Sequence, residues 1–386
     1  MESRRIAALS AGIALLITAG CGQAGSSTAA PAPAATGPLT GVCPDPVVVQ
    51  TDWFAEAEYG AYFQLLGGQP TFDTDRKRVT APLVADGQPT GVDLEIRYGG
   101  PAIGFQQVSA QLYADPSITM GLISTDESIQ NSARLPTLAV VAPLEISPLM
   151  LMWDRAKHSD VATVADLNRD AVPVLYYQTD TYMQYLLGSG LLAPEQVDGS
   201  YDGSPSRWVA ADGTLAQGGF ATAEPYIYRS ELGDGRGYDV NLQLIHDTGY
   251  PSYGQALSIR TADREQLAPC LRQLVPMVQR AQIDYITTPA RTNALLVQAV
   301  AADNGSVWSY SPGLADFAVG AMRERGIVGN GPNATLGDMD PARVARMIEI
   351  LTPIFAAQNA AVPAGLAPGA LVTNEFVDPS IGLPPA

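Results

Sequence analysis

Short apolar strands alternate with helices between residues 47 and 144, and this alternation constrains the fold more than any other feature of the chain. The first strand, residues 47–51, is a β-branched run that is entered through Pro44 and Pro46. After it, the spacing of apolar residues changes repeatedly between that of helices and that of strands. This pattern predicts helices after Trp53 and at 103–113 and 127–134, and strands at 92–98, 118–123 and 138–144. Strands separated by helices at this spacing form parallel sheets with crossover helices. The sequence therefore predicts an α/β fold.

Beyond residue 144 the chain continues with a second group of strands and then becomes mostly helical. We interpret the apolar run at 149–153 as an extended connection and residues 215–219 as a short turn. Pro269 and Pro276 are expected to kink or divide a helix at 263–283. The other predicted elements are strands at 172–176, 220–223 and 241–246, helices at 182–187, 288–302 and 342–358, and a surface coil from 362 onward.

The N-terminus has the pattern of an export signal. Arg4 and Arg5 precede an apolar run at 6–17, which is too short to span a bilayer well. The small residues before Cys21 resemble the lipobox of bacterial lipoproteins, although Thr18 replaces the usual Leu, and an ordinary secretory signal is the alternative. We expect residues 1–20 to be removed, Cys21 to be lipidated, and residues 21–43 to form a flexible tether that anchors an exported body to the outer face of the cell membrane.

Charge and motif content exclude several classes of function. The chain has 22 basic and 39 acidic side chains and a net charge of −17, which argues against nucleic-acid binding. With His158 and His246 as the two histidines, neither a metal site nor a Ser/His/Asp triad is favoured, and we expect no metal, no cofactor and no catalytic residue. Cys43 and Cys270 remain outside the signal, and we expect them to form a disulfide, with two buried thiols as the alternative.

Aromatic and acidic side chains concentrate where predicted strands end. In α/β sheets this is where ligands bind, and such rings can sandwich a flat ligand while carboxylates accept hydrogen bonds from ring N–H or amino groups. Core packing is the alternative for Tyr59 and Tyr182, helix capping for Asp126, and a solvated turn for Glu224. The residues at these transitions are Trp53, Glu58, Tyr59, Asp126, Tyr177, Tyr182, Glu224, Tyr226 and Tyr253.

Several of these segments resemble the type II periplasmic substrate-binding proteins of ABC importers, specifically the NMT1/THI5-like group that binds thiamine pyrimidine precursors, riboflavin and sulfonates. Asp52-Trp53 followed by residues 57–63 is similar to the opening of that group, and residues 99–101 are similar to its G-G-P turn. Residues 118–134 and 164–168 resemble the segments that follow. Ala55 and Ala61 depart from its usual Pro and Gly.

The resemblance implies a two-lobed type II periplasmic-binding-protein fold with two hinge crossings. Lobe I would comprise residues 44–142 and 249–386, and lobe II residues 143–248, with the ligand trapped between them by closure. The ligand-binding residues expected on this basis are Trp53, Glu58, Tyr59, Gly100, Pro101, Thr125, Asp126, Tyr177, Tyr182, Glu224, Tyr226 and Tyr253.

The function that the resemblance implies is capture of a small-molecule ligand by a monomeric component of an ABC importer and delivery to a membrane permease. A small aromatic nitrogen heterocycle, such as a thiamine pyrimidine precursor or a flavin, suits rings combined with carboxylates. The alternatives are a sulfonate or other small anion, or a receptor for a membrane sensor. An enzyme is disfavoured, because the fungal enzymes of this fold have a cysteine-rich motif and a pocket histidine that this chain lacks.

Overall fold

The computed structural model describes residues 36–232, 235–303, 308–358, 360 and 362–384. The predicted export signal, Cys21 and residues 22–35 of the tether lie outside this range. Within it, no helix has both the length and the apolar content to cross a membrane.

Twelve strands are present in the described residues. In chain order they are β1 Val47–Gln50, β2 Thr71–Asp73, β3 Arg78–Ala85, β4 Gln88–Arg97, β5 Met120–Ile123, β6 Thr137–Val141, β7 Leu149–Asp154, β8 Val174–Leu175, β9 Val197–Asp198, β10 Ala216–Phe220, β11 Val240–Leu244 and β12 Ala256–Arg260.

Eleven α-helices accompany these strands in the same part of the chain. They are α1 Gly60–Gln64, α2 Val108–Ala114, α3 Thr125–Asn131, α4 Val164–Arg169, α5 Thr181–Gly188, α6 Ser206–Ala210, α7 Glu224–Ser230, α8 Arg264–Thr287, α9 Ala290–Ala302, α10 Pro312–Glu324 and α11 Pro341–Ala357.

The first sheet has seven strands in the order β2-β3-β4-β1-β5-β12-β6. β1 is parallel to β4 and β5, as the alternation of strands and helices predicts. The returning strand β12 is antiparallel to β5 and β6. β3 was not predicted from the sequence, and it contains Pro82, a residue that is unfavourable in a strand interior. It is tolerated here because β2 pairs only with Arg78 to Thr80 and the β3–β4 register shifts between Pro82 and Val84.

The second sheet has five strands in the order β11-β7-β10-β8-β9, and it corrects two sequence-based expectations. Residues 149–153 are not a connection but lie in β7, which pairs antiparallel with both β10 and β11. The strand expected at 220–223 is instead β10, residues Ala216–Phe220, which includes most of the predicted turn. Gly218 and Gly219 give this segment a low strand propensity, but a Cβ atom at either position would collide with Tyr182 or Glu224.

The helices differ from expectation in smaller ways. α8 is one continuous helix despite Pro269 and Pro276, and α10 was not predicted. The cap of α3 is Ser124 rather than Thr125 or Asp126, because its side chain accepts a hydrogen bond from the Glu127 N–H. The helix predicted at 342–358 is α11, and Asp340 caps it by accepting a hydrogen bond from the Ala342 N–H.

Cys43 and Cys270 form a disulfide with their Cα atoms 4.7 Å apart. The bond joins the segment that precedes β1 to the buried face of α8, since Cys270 is fully buried. It therefore links positions 227 residues apart in the sequence.

The chain passes between the two sheets twice, once from β6 to β7 and once from β11 to β12. Residues 142–148 and 245–255 form these crossings. Both contribute side chains to the cavity described next, because Ser147, Pro148, Gly254 and Gln255 line it.

Candidate functional site

A cavity of about 240 Å³ lies where strands of both sheets end. Asp52 and Trp53 follow β1 and Asp126 follows β5, while Tyr177 and Glu224 follow β8 and β10 of the second sheet. The cavity therefore occupies the position at which α/β sheets usually bind ligands.

Aromatic rings form the walls of the cavity. The Trp53 ring meets Tyr177 edge to face at a centroid distance of 5.6 Å and Trp308 at 6.1 Å, with interplanar angles of 90° and 88°. Phe105 lies 5.6 Å from Tyr177, and Tyr201 meets the Tyr177 ring at 88°. Trp53 and Tyr177 thus stand nearly perpendicular to each other and to their other ring neighbours Trp308 and Tyr201, while Phe105 is tilted, and together the rings form a box.

The perpendicular packing changes how a ligand could use these rings. Trp53 and Tyr177 touch directly, so no flat molecule fits between them in this arrangement. Phe105 is 43% exposed and stands at the mouth of the cavity. A ligand would contact the exposed faces of the box rather than be sandwiched between Trp53 and Tyr177.

Five carboxyl groups line the same cavity: Asp52, Glu56, Asp126, Asp180 and Glu224. Asp126 and Glu224 are the two of these five that were predicted from the sequence, and they are 6% and 7% exposed. No Lys or Arg is among the described residues that line the cavity.

Neighbouring side chains hold three of these carboxylates in place. The Tyr59 hydroxyl donates to Asp52 Oδ1 at 2.7 Å. Asp126 accepts from the hydroxyls of Tyr250 and Ser252, each at 2.9 Å. Glu224 accepts hydrogen bonds from the Tyr201 hydroxyl at 3.1 Å and from the Phe220 N–H at 2.7 Å.

Burial raises the pKa of several carboxyl groups in this site. Loss of water raises the pKa of Asp52 and of Glu224, and raises the pKa of Asp180 to about 7. For Glu56, burial and then the neighbouring charges of Glu58 and Asp52 raise the pKa well above its usual range.

Four buried polar atoms in the cavity wall lack a partner among the described residues: Glu56 Oε1, Gln255 Oε1 and the hydroxyls of Tyr177 and Tyr182. Glu56 Oε1 accepts no hydrogen bond, and the Glu56 residue is only 2% exposed. Gln255 donates to Asp52 through Nε2 at 3.4 Å, but its Oε1 is also unpartnered. Gln255 and Phe105 both have positive φ, at 51° and 59°, a strained conformation that often marks binding sites.

Six of the twelve sequence-predicted residues line this cavity. Gly100 does so beneath Trp53, with φ at 57°, and a Cβ atom there would lie 2.4 Å from Trp53 Cε3. Gly is thus required at this position for both its conformation and its lack of a side chain. The six residues are Trp53, Gly100, Asp126, Tyr177, Tyr182 and Glu224.

The other six do not line the cavity, and three of them support residues nearby. Glu58 accepts a hydrogen bond from the Thr222 hydroxyl, and Tyr59 donates to Asp52. Thr125 Oγ1 accepts from the Tyr253 N–H at 3.2 Å.

The rings of the remaining tyrosines face other partners. Tyr253 lies under the Arg343 guanidinium, 3.7 Å from its ring centroid, and its hydroxyl accepts from the Asp340 N–H. Tyr226 packs on Phe317 with centroids 5.4 Å apart. Pro101 is half-buried in the turn after β4, next to Gly100.

Other cavity residues were not among the sequence predictions. Asp52 and Asp180 stand beside predicted residues and carried a usable signal, because both are acidic and both follow a strand. Gln255 and Trp308 come from distant parts of the chain with no local pattern that marks them. The missed residues include Asp52, Glu56, Phe105, Asp180, Tyr201, Gln255 and Trp308.

This arrangement of two sheets, two crossings and a cavity between strand ends is the fold of periplasmic substrate-binding proteins. No protein-family model matches the chain, and no curated protein matches its sequence. Solved structures do match at the level of the fold. The periplasmic aliphatic sulphonate binding protein SsuA of Escherichia coli matches with a TM-score of 0.50 and 15% identity over 82% of this chain and 89% of its own.

A second solved structure gives the same result. The alkanesulfonate-binding protein SsuA of Xanthomonas axonopodis pv. citri, bound to MOPS, matches with a TM-score of 0.50 and 15% identity over 86% of this chain and 99% of its own. At this level of identity the likeness establishes the fold and leaves the ligand to be argued from the cavity.

Proposed function

We propose that this chain is the extracytoplasmic solute-binding component of an ABC importer. The observation that carries the proposal is the cavity itself, whose walls come from the strand ends of both sheets and from both crossings between them. In this proposal residues 44–142 and 249–386 form one lobe and residues 143–248 the other. A membrane permease receives the ligand, and lipidated Cys21 holds the monomeric protein at the membrane.

The proposed ligand is a small aromatic nitrogen heterocycle. Aromatic walls with carboxylate and amide acceptors suit a ring that carries N–H or amino donors. A volume of about 240 Å³ lies below the roughly 300 to 1,000 Å³ typical of pockets for drug-sized ligands. This favours a single-ring pyrimidine over a three-ring flavin.

A sulfonate or other small anion is the second candidate, because the two solved structures described above are sulfonate-binding proteins. An anion would need Arg or Lys side chains or free backbone N–H groups in the cavity. The described lining instead presents five carboxyl groups and no basic side chain. The charge of the cavity therefore favours the heterocycle.

Mass spectrometry of ligand that co-purifies with the mature protein tests the proposal directly. Thermal shifts with a 4-aminopyrimidine, riboflavin and an alkanesulfonate complement it, because a ligand that binds only the folded state raises the melting temperature. A pyrimidine should produce the largest shift. Stabilisation by the sulfonate alone would refute the heterocycle and support the anion.

A further inference from the structure

We propose that the cavity binds its ligand as an organic cation, a small heterocycle that is protonated or alkylated on nitrogen, with Trp53 and Glu56 as its principal partners. This inference rests on the proposed function and specifies the charge of the ligand. It follows from the walls of the cavity, from its unpartnered acceptors and from the absence of compensating charge in its described lining.

The walls have the geometry that attracts cations. An aromatic ring attracts a cation over its face, most strongly for Trp, and boxes of several rings are used to bind alkylated ammonium groups. Here Trp53, Tyr177 and Trp308 stand at nearly right angles, with centroids 5.6 to 6.1 Å apart from Trp53. Perpendicular rings surround a compact group with ring faces and edges. This arrangement favours a cationic group over a neutral flat ring that would need parallel rings to stack on.

Glu56 supplies the acceptor that a cation requires. Its Oε1 has no hydrogen-bond partner in the described residues, although the residue is 98% buried, and it lines the cavity. Gln255 Oε1, in the same wall, is also unpartnered. A buried acceptor without a donor is costly, so the cavity is arranged for a ligand that brings donors to this side.

Two buried carboxylates outside the cavity are compensated by basic side chains. Glu95 pairs with Arg78 at 2.9 Å and with Arg97 at 2.6 Å. Asp303 pairs with Lys77 at 2.5 Å. The carboxyl groups of the cavity differ, because no Lys or Arg is among the described lining residues. A cationic ligand would provide the charge that arginine or lysine provides at those other sites.

A neutral ligand is the competing explanation. Protonated carboxyl groups could donate hydrogen bonds to a neutral heterocycle, and the cavity would then need no positive charge. The two explanations differ in one measurable quantity, which is the ratio of affinities for a cation and for its neutral counterpart of nearly equal shape.

Isothermal titration calorimetry of the mature protein at pH 7.5 measures this ratio. The probes are 4-aminopyrimidine and its N1-methyl cation, with tetramethylammonium as a cation that lacks a ring. We expect the methylated heterocycle to bind at least tenfold more tightly than the neutral one, and tetramethylammonium to bind more weakly than the methylated heterocycle.

Two variants assign the preference to Glu56. Glu56→Gln keeps the shape of the side chain and removes its charge, and should reduce the cation preference at least fivefold. Glu127→Gln is the matched control, because Glu127 is also a carboxyl group on this side of the fold but lies outside the cavity lining and accepts from the Ser109 N–H at 2.8 Å. The control should keep the preference of the unmodified protein.

The outcomes separate this inference from the proposed function. A preference for the cation that Glu56→Gln reduces supports the inference. Equal or tighter binding of the neutral heterocycle, or no binding of either cation, overturns it, while binding of the neutral compound leaves the heterocycle function standing. Binding of an alkanesulfonate in place of both heterocycles overturns the proposed function as well.

Discussion

Replacement of Trp53 by Ala is the most direct test of the aromatic cavity. The Trp53 ring contacts Phe105 at 6.3 Å, Tyr177 at 5.6 Å and Trp308 at 6.1 Å, so it joins three other walls of the box. The side chain is only partly buried, and the protein should fold without it. The variant should therefore lose ligand affinity more than stability.

The expected loss combines two contributions. A ring face that covers a small heterocycle removes on the order of 60 Å² of apolar surface from water, worth about 1.5 kcal/mol at 25 cal/mol per Å². Aromatic contact adds about 0.5 to 1.5 kcal/mol beyond area. A total of about 2 to 3 kcal/mol corresponds to roughly a 30- to 150-fold weaker dissociation constant. Movement of Phe105 and Tyr177 into the vacated space reduces this effect, and tenfold is the lower bound.

Calorimetric titration with the ligand that co-purifies with the protein measures this loss. Trp53→Phe retains an aromatic wall and should lose no more than about fivefold, within the worth of one aromatic contact. Trp208→Phe is a matched control, because Trp208 is fully buried against Tyr228 and Tyr238 and does not line the cavity. It should lower the melting temperature and leave affinity unchanged. A loss of affinity for Trp53→Ala smaller than tenfold would refute the role assigned to this ring.

Three further changes have defined outcomes. Gly100→Ala combines a positive φ with a Cβ atom 2.4 Å from Trp53 Cε3, so it should displace the Trp53 ring and weaken ligand binding more than tenfold. Gly87→Ala is the control, because Gly87 has φ at 72° but open space around it, and this variant should affect only stability. Equal binding by both variants would contradict the prediction. Replacing both Cys43 and Cys270 by Ser should lower the free energy of unfolding by about 2 to 5 kcal/mol in urea titrations, and an unchanged value would show that the bond does not stabilise the fold. Burial raises the pKa of Glu58 and of Asp180 to about 7, so the folded state retains protons that the unfolded chain releases between about pH 4 and 7. The ligand-free protein should therefore lose stability as the pH rises through this window, by up to about 3 kcal/mol per group, and stability that rises from pH 5 to 7.5 would contradict the assignment.

Much of the fold could be predicted because its central strands have strong local signals. β1, β5 and β6 are mostly apolar runs that are buried on both faces, and the helices between them keep their own periodicity. β10 could not be predicted in the same way. Its two glycines have little strand propensity, and they are present because Tyr182 and Glu224 approach the backbone closely. That requirement arises from tertiary packing and leaves no periodic pattern.

The strand ends identified part of the site, and tertiary structure determined the rest. Trp53, Asp126, Tyr177 and Glu224 follow strands directly, so a general rule for α/β sheets was sufficient to find them. Trp308 reaches the cavity from a segment far along the chain, where its Nε1 donates to the Ala55 carbonyl. No local pattern specifies such a contact.

The sequence predicted Glu58 as a ligand-binding residue, but Glu56 lines the cavity instead, and the local backbone geometry explains the difference. Glu56 has extended backbone angles, φ −156° and ψ 171°, and the 3₁₀ turn begins only at the next residue, so these two glutamates face different surroundings. Glu58 accepts a hydrogen bond from Thr222, in the turn between β10 and α7, and so connects the segment after β1 to the second sheet. Glu56 lines the cavity with one oxygen unpartnered. Because Glu58 already has its donor within the protein, the ligand would interact with Glu56, and the charge of the ligand would determine whether that carboxylate is stable when buried.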